Sequence, residues 1–208
     1  MTSTAQDDVT VQLDRLDEAG QSLLFTGART AHTFADTPVT SEELEAIWEL
    51  AKWPPTALNA QPLRVVFVQS PEARQKLVDN MMEGNKAKTL AAPAVAVLAY
   101  DAEFHEHLPA VAPAYAHMKD GLDANDEMRN GMAGSNANIQ AGYFILATRA
   151  RGLAAGPMGG FDRAGVDAAF FPDGRFKSVL VVNIGHPAKD AYHPRQARLE
   201  HETTVVFA

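Results

Sequence analysis

The chain has 208 residues and no cysteine, and its 18 Lys and Arg against 26 Asp and Glu give a formal charge of −8. This length suits one domain over residues 1–208, and the 46% hydrophobic content excludes whole-chain disorder, while the lack of cysteine excludes disulfides and thiolate metal sites. Because the net charge is negative and no Lys/Arg block is present, nucleic acid and anionic membranes are disfavoured as partners and small molecules are favoured.

The first predicted element is a helix over residues 9–26, where leucines recur at helical spacing among charged residues. Thr40 and Glu43 form the capping-box pattern of a second helix, over residues 41–52. The Pro54-Pro55 pair ends that helix, because proline cannot continue the backbone hydrogen bonding.

The chain then alternates short apolar runs typical of buried strands with helical patterns. In order, the predicted elements are a strand over 64–68, a helix over 71–82, a strand over 94–100, an irregular segment over 109–125, a helix over 126–151 and a strand over 177–185. Helices between buried strands indicate an α/β or α+β fold. The irregular segment is long enough to form a lid, and the stretch after Pro187 is expected to form an arm.

The predicted helix over 126–151 carries small residues at four-residue spacing. One row is Ala133, Ala137 and Ala141, the other is Gly134, Asn138 and Gly142, and an adjacent apolar line is Met132, Ile139 and Leu146. Such rows let a second helix approach closely, which favours a homodimer interface, although a helix buried inside one subunit explains the same periodicity.

Several common chemistries are excluded by missing motifs. The sequence has no G-x-S-x-G, no P-loop and no G-x-G-x-x-G, so the hydrolase elbow, the NTPase loop and the Rossmann fingerprint are all missing. His105 and His107 offer two imidazoles, but no third ligand stands at a standard spacing. We therefore expect no metal site and a solvated pair of loop histidines.

The sequence also bears on localisation. The first eight residues lack the basic region of a signal peptide, and the longest apolar run, residues 91–100, is too short to cross a bilayer. We therefore expect a cytoplasmic protein without a membrane partner.

Four separated segments carry groups typical of a ligand site. Arg29 and Thr30 could together bind a phosphate, although an Arg after a helix is commonly a simple C-terminal charge. Residues 53–62 form a turn rich in amides and hydroxyls, which equally suits a rigid connecting loop. Asn85 and Lys88 share a helical face, where they could meet one planar ligand edge or form a solvated turn.

The fourth segment, residues 156–162, contains three glycines. They permit close approach of the backbone to a ligand, and Asp162 could cap the following helix. A plain loop leading into a helix explains the same pattern.

Taken together and in this order, the four segments resemble the nitroreductase family of flavin enzymes. The resemblance is closest to the branch that contains malonic semialdehyde reductases, through Ala28-Arg29-Thr30, Gly84-Asn85, Lys88-Thr89-Leu90, Gly156-Pro157-Met158 and Gly160-Phe161-Asp162. It implies an α+β, three-layer fold with a central, mostly antiparallel sheet flanked by helices. It also implies a domain-swapped homodimer that binds FMN at the subunit interface.

The resemblance assigns roles to residues of this chain. Arg29, Thr30 and Arg198 would bind the FMN phosphate, and the turn after the second helix would reach the flavin ring from the partner subunit. The backbone N–H groups of Gly159 and Gly160 would lie near flavin N5. The full cofactor-binding set implied by the resemblance is Arg29, Thr30, Ala31, His32, Pro55, Thr56, Ala57, Asn59, Asn85, Lys88, Pro157, Met158, Gly159, Gly160 and Arg198.

The implied reaction is hydride transfer from NADH or NADPH, through flavin N5, to an electron-poor acceptor such as a nitroaromatic or a quinone. The kinetics would be ping-pong, and no protein side chain is assigned a catalytic role. Reduction of malonic semialdehyde to 3-hydroxypropanoate and a non-catalytic flavin-binding protein are the alternatives. The sequence departs from the wider family at three positions. His32 stands where Lys or Arg is usual, Gln196 stands where Lys is common, and Gly159 stands where Glu is common.

Overall fold

The computed structural model describes residues 14–208 and contains one four-stranded sheet. Its strands are β1 (Leu63–Phe67), β2 (Ala94–Asp101), β3 (Ala154–Met158) and β4 (Phe176–Gly185). The spatial order is β1-β2-β4-β3, and each neighbouring pair is antiparallel. The predicted α+β class is therefore confirmed.

One long helix and several short ones surround the sheet. They are α1 (Glu18–Gln21), which runs into a π-helical turn (Ser22–Thr26), α2 (Ser41–Ala51), α3 (Pro71–Asp79), α4 (Glu83–Ala91), α5 (Leu108–Val111), α6 (Lys119–Asp123), α7 (Asp126–Ala150), α8 (Arg163–Phe170) and α9 (His201–Thr204). Within residues 14–208, no helix combines the length and the apolar character needed to cross a membrane.

Alternate residues of β2 point to opposite faces of the sheet and divide the core into two layers. Ala96 and Leu98 pack with α2 and α7 on one face, in a cluster that includes Phe144. Val95 and Val97 pack with α3 and α8 on the other face. Helices therefore cover both faces, which confirms the predicted three-layer architecture.

β3 lies where the sequence suggested a loop rich in glycine, so the loop interpretation is wrong for this strand. Its Pro157 is tolerated because β3 is an edge strand, where one side of the backbone has no ladder partner. Its Gly156 pairs with Asn183 of β4. A Cβ at position 156 would lie 2.7 Å from the carbonyl oxygen of Ala31, so only glycine fits this close approach.

The predicted first helix begins later than its leucine pattern suggests. Residues 9–13 of that prediction lie outside the described residues, and residues 14–17 are not helical. The Asp17 carboxylate accepts the Gly20 N–H at 2.7 Å and caps the helix, which therefore begins at Glu18.

The segment predicted as irregular, residues 109–125, instead forms short helical pieces, including α5 and α6. Arg129 of α7 anchors it, because this buried guanidinium donates to the carbonyls of Ala102, Leu122 and Asp123 at 2.9 Å each. The segment is thus a packed part of the structure.

The prediction of two solvated histidines is wrong for His105, which is buried. Its Nε2 lies 3.2 Å from Asp123 and 3.7 Å from Glu103, and these three residues place ligand atoms within 4.8 Å of one another. Arg129 already pairs with Glu103 at 3.3 Å, so a protein cation neutralises part of this cluster.

A buried carboxylate at the end of β2 joins the start of β1 to the start of β4. Asp101 is 1% exposed and accepts hydrogen bonds from Arg64 at 2.7 Å, from Arg175 Nε at 2.9 Å and from the Glu103 N–H at 2.9 Å. Burial acts to raise the pKa of Asp101, but these hydrogen bonds and the guanidinium charges outweigh it. The pKa of Asp101 therefore lies below its ordinary value.

Candidate functional site

The segment that follows the π-helical turn, residues 28–34, is held on two sides. The Ala31 N–H donates to the Ala155 carbonyl of β3 at 3.1 Å, and the His32 N–H donates to the Ala191 carbonyl at 2.9 Å. These bonds fix the backbone on which Arg29 and Thr30 are presented.

The C-terminal arm, residues 188–208, returns to this segment. The Arg195 guanidinium donates to the Ala28 carbonyl at 3.0 Å, and Arg29 Nη1 donates to the His193 carbonyl at 3.4 Å. The predicted arm therefore forms one wall of a site, and the segment at residues 28–34 forms the other.

A cavity of about 270 Å³ lies between the two walls. Its lining residues are Ala28, Arg29, Thr30, His32, His193, Pro194, Arg195, Gln196 and Arg198. Three guanidinium groups, two imidazoles and one hydroxyl converge here, and none of these described lining residues is acidic. This donor set fits a phosphate group, because guanidinium groups form strong charge-assisted hydrogen bonds with phosphate oxygens. We call it the phosphate cavity.

The phosphate cavity brings together four residues from the predicted set, namely Arg29, Thr30, His32 and Arg198. A neighbouring cavity of about 220 Å³ extends past Arg29 and Arg198 to Pro157, so the end of β3 borders the same region. Met158, by contrast, is buried, with its sulfur 3.8 Å from the Thr89 hydroxyl.

Asn85 and Lys88 lie on α4, next to the turn that follows β3. The Asn85 side chain donates to the Gly160 carbonyl at 2.8 Å, and the Lys88 carbonyl accepts from Asn183 at 3.2 Å. A Cβ at Gly160 would meet the Asn85 amide at 2.7 Å, whereas no described atom lies within 4 Å of a Cβ at Gly159. Gly160 therefore permits the contact with Asn85, while Gly159 borders open space.

Asp162 occupies the N-cap position of α8, as predicted, but its side chain makes no capping hydrogen bond. The capping part of that prediction is therefore wrong.

The turn residues predicted to reach the flavin ring lie elsewhere in the same chain. A separate cavity of about 330 Å³ is lined by Lys52, Trp53, Pro54, Asn59 and Gln61, and it shares no lining residue with the phosphate cavity. Pro55, Thr56 and Ala57 belong to this turn. The structure of one chain thus leaves the two halves of the predicted site apart.

The backbone of this turn is strained. Leu58, Asn59 and Gln61 have φ values of 56°, 51° and 44°, in the left-handed region that non-glycine residues rarely adopt. Asn136 of α7 accepts the Ala57 N–H at 2.8 Å and helps to enforce the conformation. Such enforced strain is common at ligand sites, which favours a binding role for the turn.

Sequence reasoning did not single out His193, whose ring lies against that of His32 in the lining of the phosphate cavity. Desolvation by burial, followed by the charges of His193 and Lys88, lowers the pKa of His32. The clustering of His193, Arg195 and Arg198 in an acidic chain was the signal that could have identified this wall of the cavity.

We expect Gly156→Ala to destabilise the protein by about 1–3 kcal/mol, the usual range for an overpacked position. The added Cβ would push the Ala31 carbonyl away from β3 and displace the segment that carries Arg29. Urea unfolding would measure the loss of stability. Gly121→Ala, at a position where no described atom lies within 4 Å of a new Cβ, is the matched control. Equal stability of the two variants would contradict the close approach.

Comparison with known proteins identifies the family. The sequence model of the Nitroreductase family matches residues 26–186. A Streptomyces coelicolor protein with the provisional name NADH dehydrogenase/NAD(P)H nitroreductase is 50% identical over 196 residues, covering 94% of this chain and 97% of its own. A Streptomyces griseus protein with the same provisional name is 51% identical over 190 residues, covering 91% and 96%.

Solved structures share the fold. A provisionally named Bacillus subtilis nitroreductase superposes with a TM-score of 0.81 at 24% identity, covering 91% of this chain and 99% of its own. A provisionally named nitroreductase from Exiguobacterium sibiricum, solved in complex with FMN, gives 0.79 at 18% identity, covering 95% and 100%. The predicted family is confirmed, and with it the predicted oxidoreductase class. The chain belongs to the nitroreductase family.

Proposed function

We propose that the chain is an FMN-dependent oxidoreductase that takes hydride from NADH or NADPH and delivers it to a nitroaromatic, a quinone or a similar acceptor by ping-pong kinetics. The observation that carries the proposal is the convergence of Arg29, Thr30 and Arg198 in the phosphate cavity. The names of the relatives support the nicotinamide donor, and the FMN complex of the Exiguobacterium protein supports the cofactor.

In this proposal, Arg29 and Arg198 bind the phosphate of FMN, and the Thr30 hydroxyl donates to the same group. Hydrogen bonds to charged groups contribute about 1.5–3 kcal/mol each, so these contacts account for much of the retention of the cofactor. When bound, FMN supplies the hydride chemistry through its ring. The open space at Gly159 leaves room for a planar ring beside the end of β3.

The strained turn at residues 53–62 completes the proposed site only if it comes from a second copy of the chain. Within one chain it lines a cavity separate from the phosphate cavity, which supports the predicted homodimer with FMN at the interface. The Asn59 side chain donates to the Val111 carbonyl at 2.7 Å and links this turn to α5. We therefore propose that the segment predicted as a lid borders the acceptor.

The small-residue rows of α7 divide between core and surface. The row of Ala133, Ala137 and Ala141 is buried in its own chain, so its proposed role at a dimer interface is wrong. In the other row, Asn138 and Gly142 are exposed, and the neighbouring Ile139 is 47% exposed. This exposed row supports close approach of a partner helix.

The edge of the sheet supports the swapped arrangement. A groove of about 470 Å³ runs between α2 and the edge strand β1, and its lining includes Trp48, Val65 and Phe67. At the end of the C-terminal arm, Val206 and Phe207 are each 86% exposed. We propose that only the end of the arm reaches the partner subunit and buries Val206 and Phe207 there, while Arg195 and Arg198 stay in the phosphate cavity of their own chain.

We expect Gly142→Leu to convert the dimer into a monomer that loses FMN. Apart from the adjacent residues and the backbone of α7 itself, no described atom lies within 4 Å of a Cβ at this position, so the variant should fold while its side chain blocks a partner helix. Light scattering coupled to gel filtration measures the mass, and Gly121→Leu is a control of equal bulk on α6. A Gly142→Leu dimer that retains FMN would contradict this interface.

The proposed function is tested by the colour of the purified protein and its response to nicotinamide. We expect flavin absorbance that bleaches with NADH or NADPH under anaerobic conditions and returns when a nitroaromatic or quinone is added. Parallel lines in double-reciprocal plots would support ping-pong kinetics. A yellow protein that no nicotinamide reduces would indicate a non-catalytic flavin-binding protein, and a colourless one that does not take up FMN would overturn the proposal.

The malonic semialdehyde branch stays a prediction, because the names of the relatives do not test it. Addition of malonic semialdehyde to the reduced protein, in the same assay, tests that acceptor directly.

A further inference from the structure

Two imidazole rings face each other in the phosphate cavity. The ring centroids of His32 and His193 lie 4.2 Å apart, with 45° between the ring planes. His32 belongs to the segment at residues 28–34, and His193 belongs to the C-terminal arm. The pair is therefore assembled by the tertiary structure, at the place where the two walls of the cavity meet.

The backbone that carries each ring is held by hydrogen bonds that do not involve a ligand. The His32 N–H donates to the Ala191 carbonyl at 2.9 Å, and the His193 carbonyl accepts from Arg29 at 3.4 Å. The side chain of His32 is half-buried and that of His193 is exposed to the cavity and solvent. The imidazole nitrogens are thus available to a group that enters the cavity.

The surroundings of the pair are mainly cationic. The cations are Arg29 on the segment of His32, Lys88 on α4, and Arg195 and Arg198 on the arm. The arm also carries one anion, Asp190, whose carboxylate accepts a hydrogen bond from the Thr33 hydroxyl at 2.8 Å. Desolvation by burial and the charges of His193 and Lys88 lower the pKa of His32. The lowered pKa favours the neutral imidazole of His32 in the ligand-free chain.

We propose that the pair formed by His32 and His193 takes up one proton when the cavity binds a phosphate monoester dianion. His193 is thereby a binding residue for the phosphate of FMN. This inference rests on the proposed function, which makes FMN the occupant. A phosphate monoester has its second pKa near 6, so it carries close to two negative charges at pH 7.5. Those charges favour the imidazolium form, which donates charge-assisted hydrogen bonds.

The proton uptake makes affinity depend on pH. Because the complex holds more protons than its separate components, the association constant for FMN decreases as the pH rises above neutrality, by up to about tenfold per pH unit for each proton taken up. Riboflavin has the same ring system without a phosphate, so its affinity should lack this dependence. The histidine pair thereby increases the preference for the phosphorylated flavin most strongly near neutral pH.

Calorimetric titration of the full-length, flavin-stripped protein with FMN at pH 7.5 tests the proposal. Parallel titrations in two buffers with different protonation enthalpies give the number of protons taken up. We expect uptake of up to about one proton per FMN in the wild type and much less in His193→Phe, which keeps a planar ring without a titratable nitrogen. His186→Phe is the matched control, because His186 lies beside Glu43 and outside the cavity lining, and it should keep the wild-type uptake.

Equal proton uptake by wild type and His193→Phe would overturn the proposal, and so would equal uptake with riboflavin and FMN. FMN binding without proton uptake would overturn this inference alone, whereas a wild-type chain that does not bind FMN would overturn the proposed function as well. A histidine NMR titration gives a second readout that does not depend on a variant. We expect the pKa of His32 to rise when FMN binds, and an unchanged pKa would overturn the proposal.

Discussion

Arg29→Ala should lower the affinity for FMN by about 10- to 150-fold, the factor that corresponds to losing a charged hydrogen bond of about 1.5–3 kcal/mol. The guanidinium can bind two phosphate oxygens at once, and no neutral side chain replaces it. Arg29 is exposed and donates a long bond, at 3.4 Å, to the His193 carbonyl, so the free energy of unfolding should change little. Quenching of flavin fluorescence measures the affinity.

Two further variants separate a phosphate contact from a general effect of charge. Arg198→Ala removes another guanidinium of the phosphate cavity and should also weaken FMN binding. Arg151→Ala removes the same charge at the end of α7, where the side chain is exposed, and should leave affinity unchanged. If Arg29→Ala retained its flavin as well as Arg151→Ala during gel filtration at low protein concentration, the phosphate assignment would be wrong.

Asp101→Asn should reduce the free energy of unfolding by about 3 kcal/mol, the lower end of the range for breaking a buried ion pair. The substitution leaves the guanidiniums of Arg64 and Arg175 without their shared carboxylate. Both side chains keep some solvent access, at 27% and 32%, which is why the lower end applies. Urea unfolding measures the change, and Asp36→Asn provides an exposed control.

The contribution of Asp101 should also depend on pH. Its pKa in the folded protein is below the ordinary value of 3.8, so the stabilisation is fully present above that value and is lost as the pH falls through the folded pKa. The difference in stability between the wild type and Asp101→Asn should therefore be full near neutrality and become smaller below about pH 4. A difference that stays constant down to pH 3 would show that the charge of Asp101 is not responsible.

Local sequence patterns predicted the elements whose structure depends mainly on residues close together in the chain. The capping box of α2 forms as its spacing suggests, with the Thr40 hydroxyl accepting the Glu43 N–H and the Glu43 carboxylate accepting the Thr40 N–H. The apolar runs of β2 and β4 also form strands, because both are central in the sheet and buried on both faces. β3 has no such pattern. Pro157 fits a strand only because β3 lies at the edge of the sheet, and Gly156 is required only because the Ala31 carbonyl lies close to it.

The candidate site shows the same limit. Arg29 and Arg198 could be proposed from a resemblance of short motifs, and the structure brings them into one cavity. The pairing of His32 with His193 depends on how the arm returns to residues 28–34, and no local pattern encodes that contact. The left-handed residues of the turn likewise occur without a glycine or asparagine–glycine signal, and a distant side chain, the Asn136 carboxamide, helps to hold them by accepting the Ala57 N–H.

The return of the C-terminal arm has a consequence for how the protein is made. The hydrogen bond from Arg29 to the His193 carbonyl joins residues 164 positions apart, whereas the core layers on the two faces of the sheet are complete once Ile184 has been added. During synthesis, the sheet and its helices can therefore form before the second wall of the phosphate cavity exists. We expect cofactor loading to wait until residues 193–198 have been synthesised and have folded back onto residues 28–34. A chain that ended prematurely at Pro187 would then keep the core layers on the two faces of the sheet, but it would lose the buried Ala191 and the wall of the cavity that carries Arg195 and Arg198.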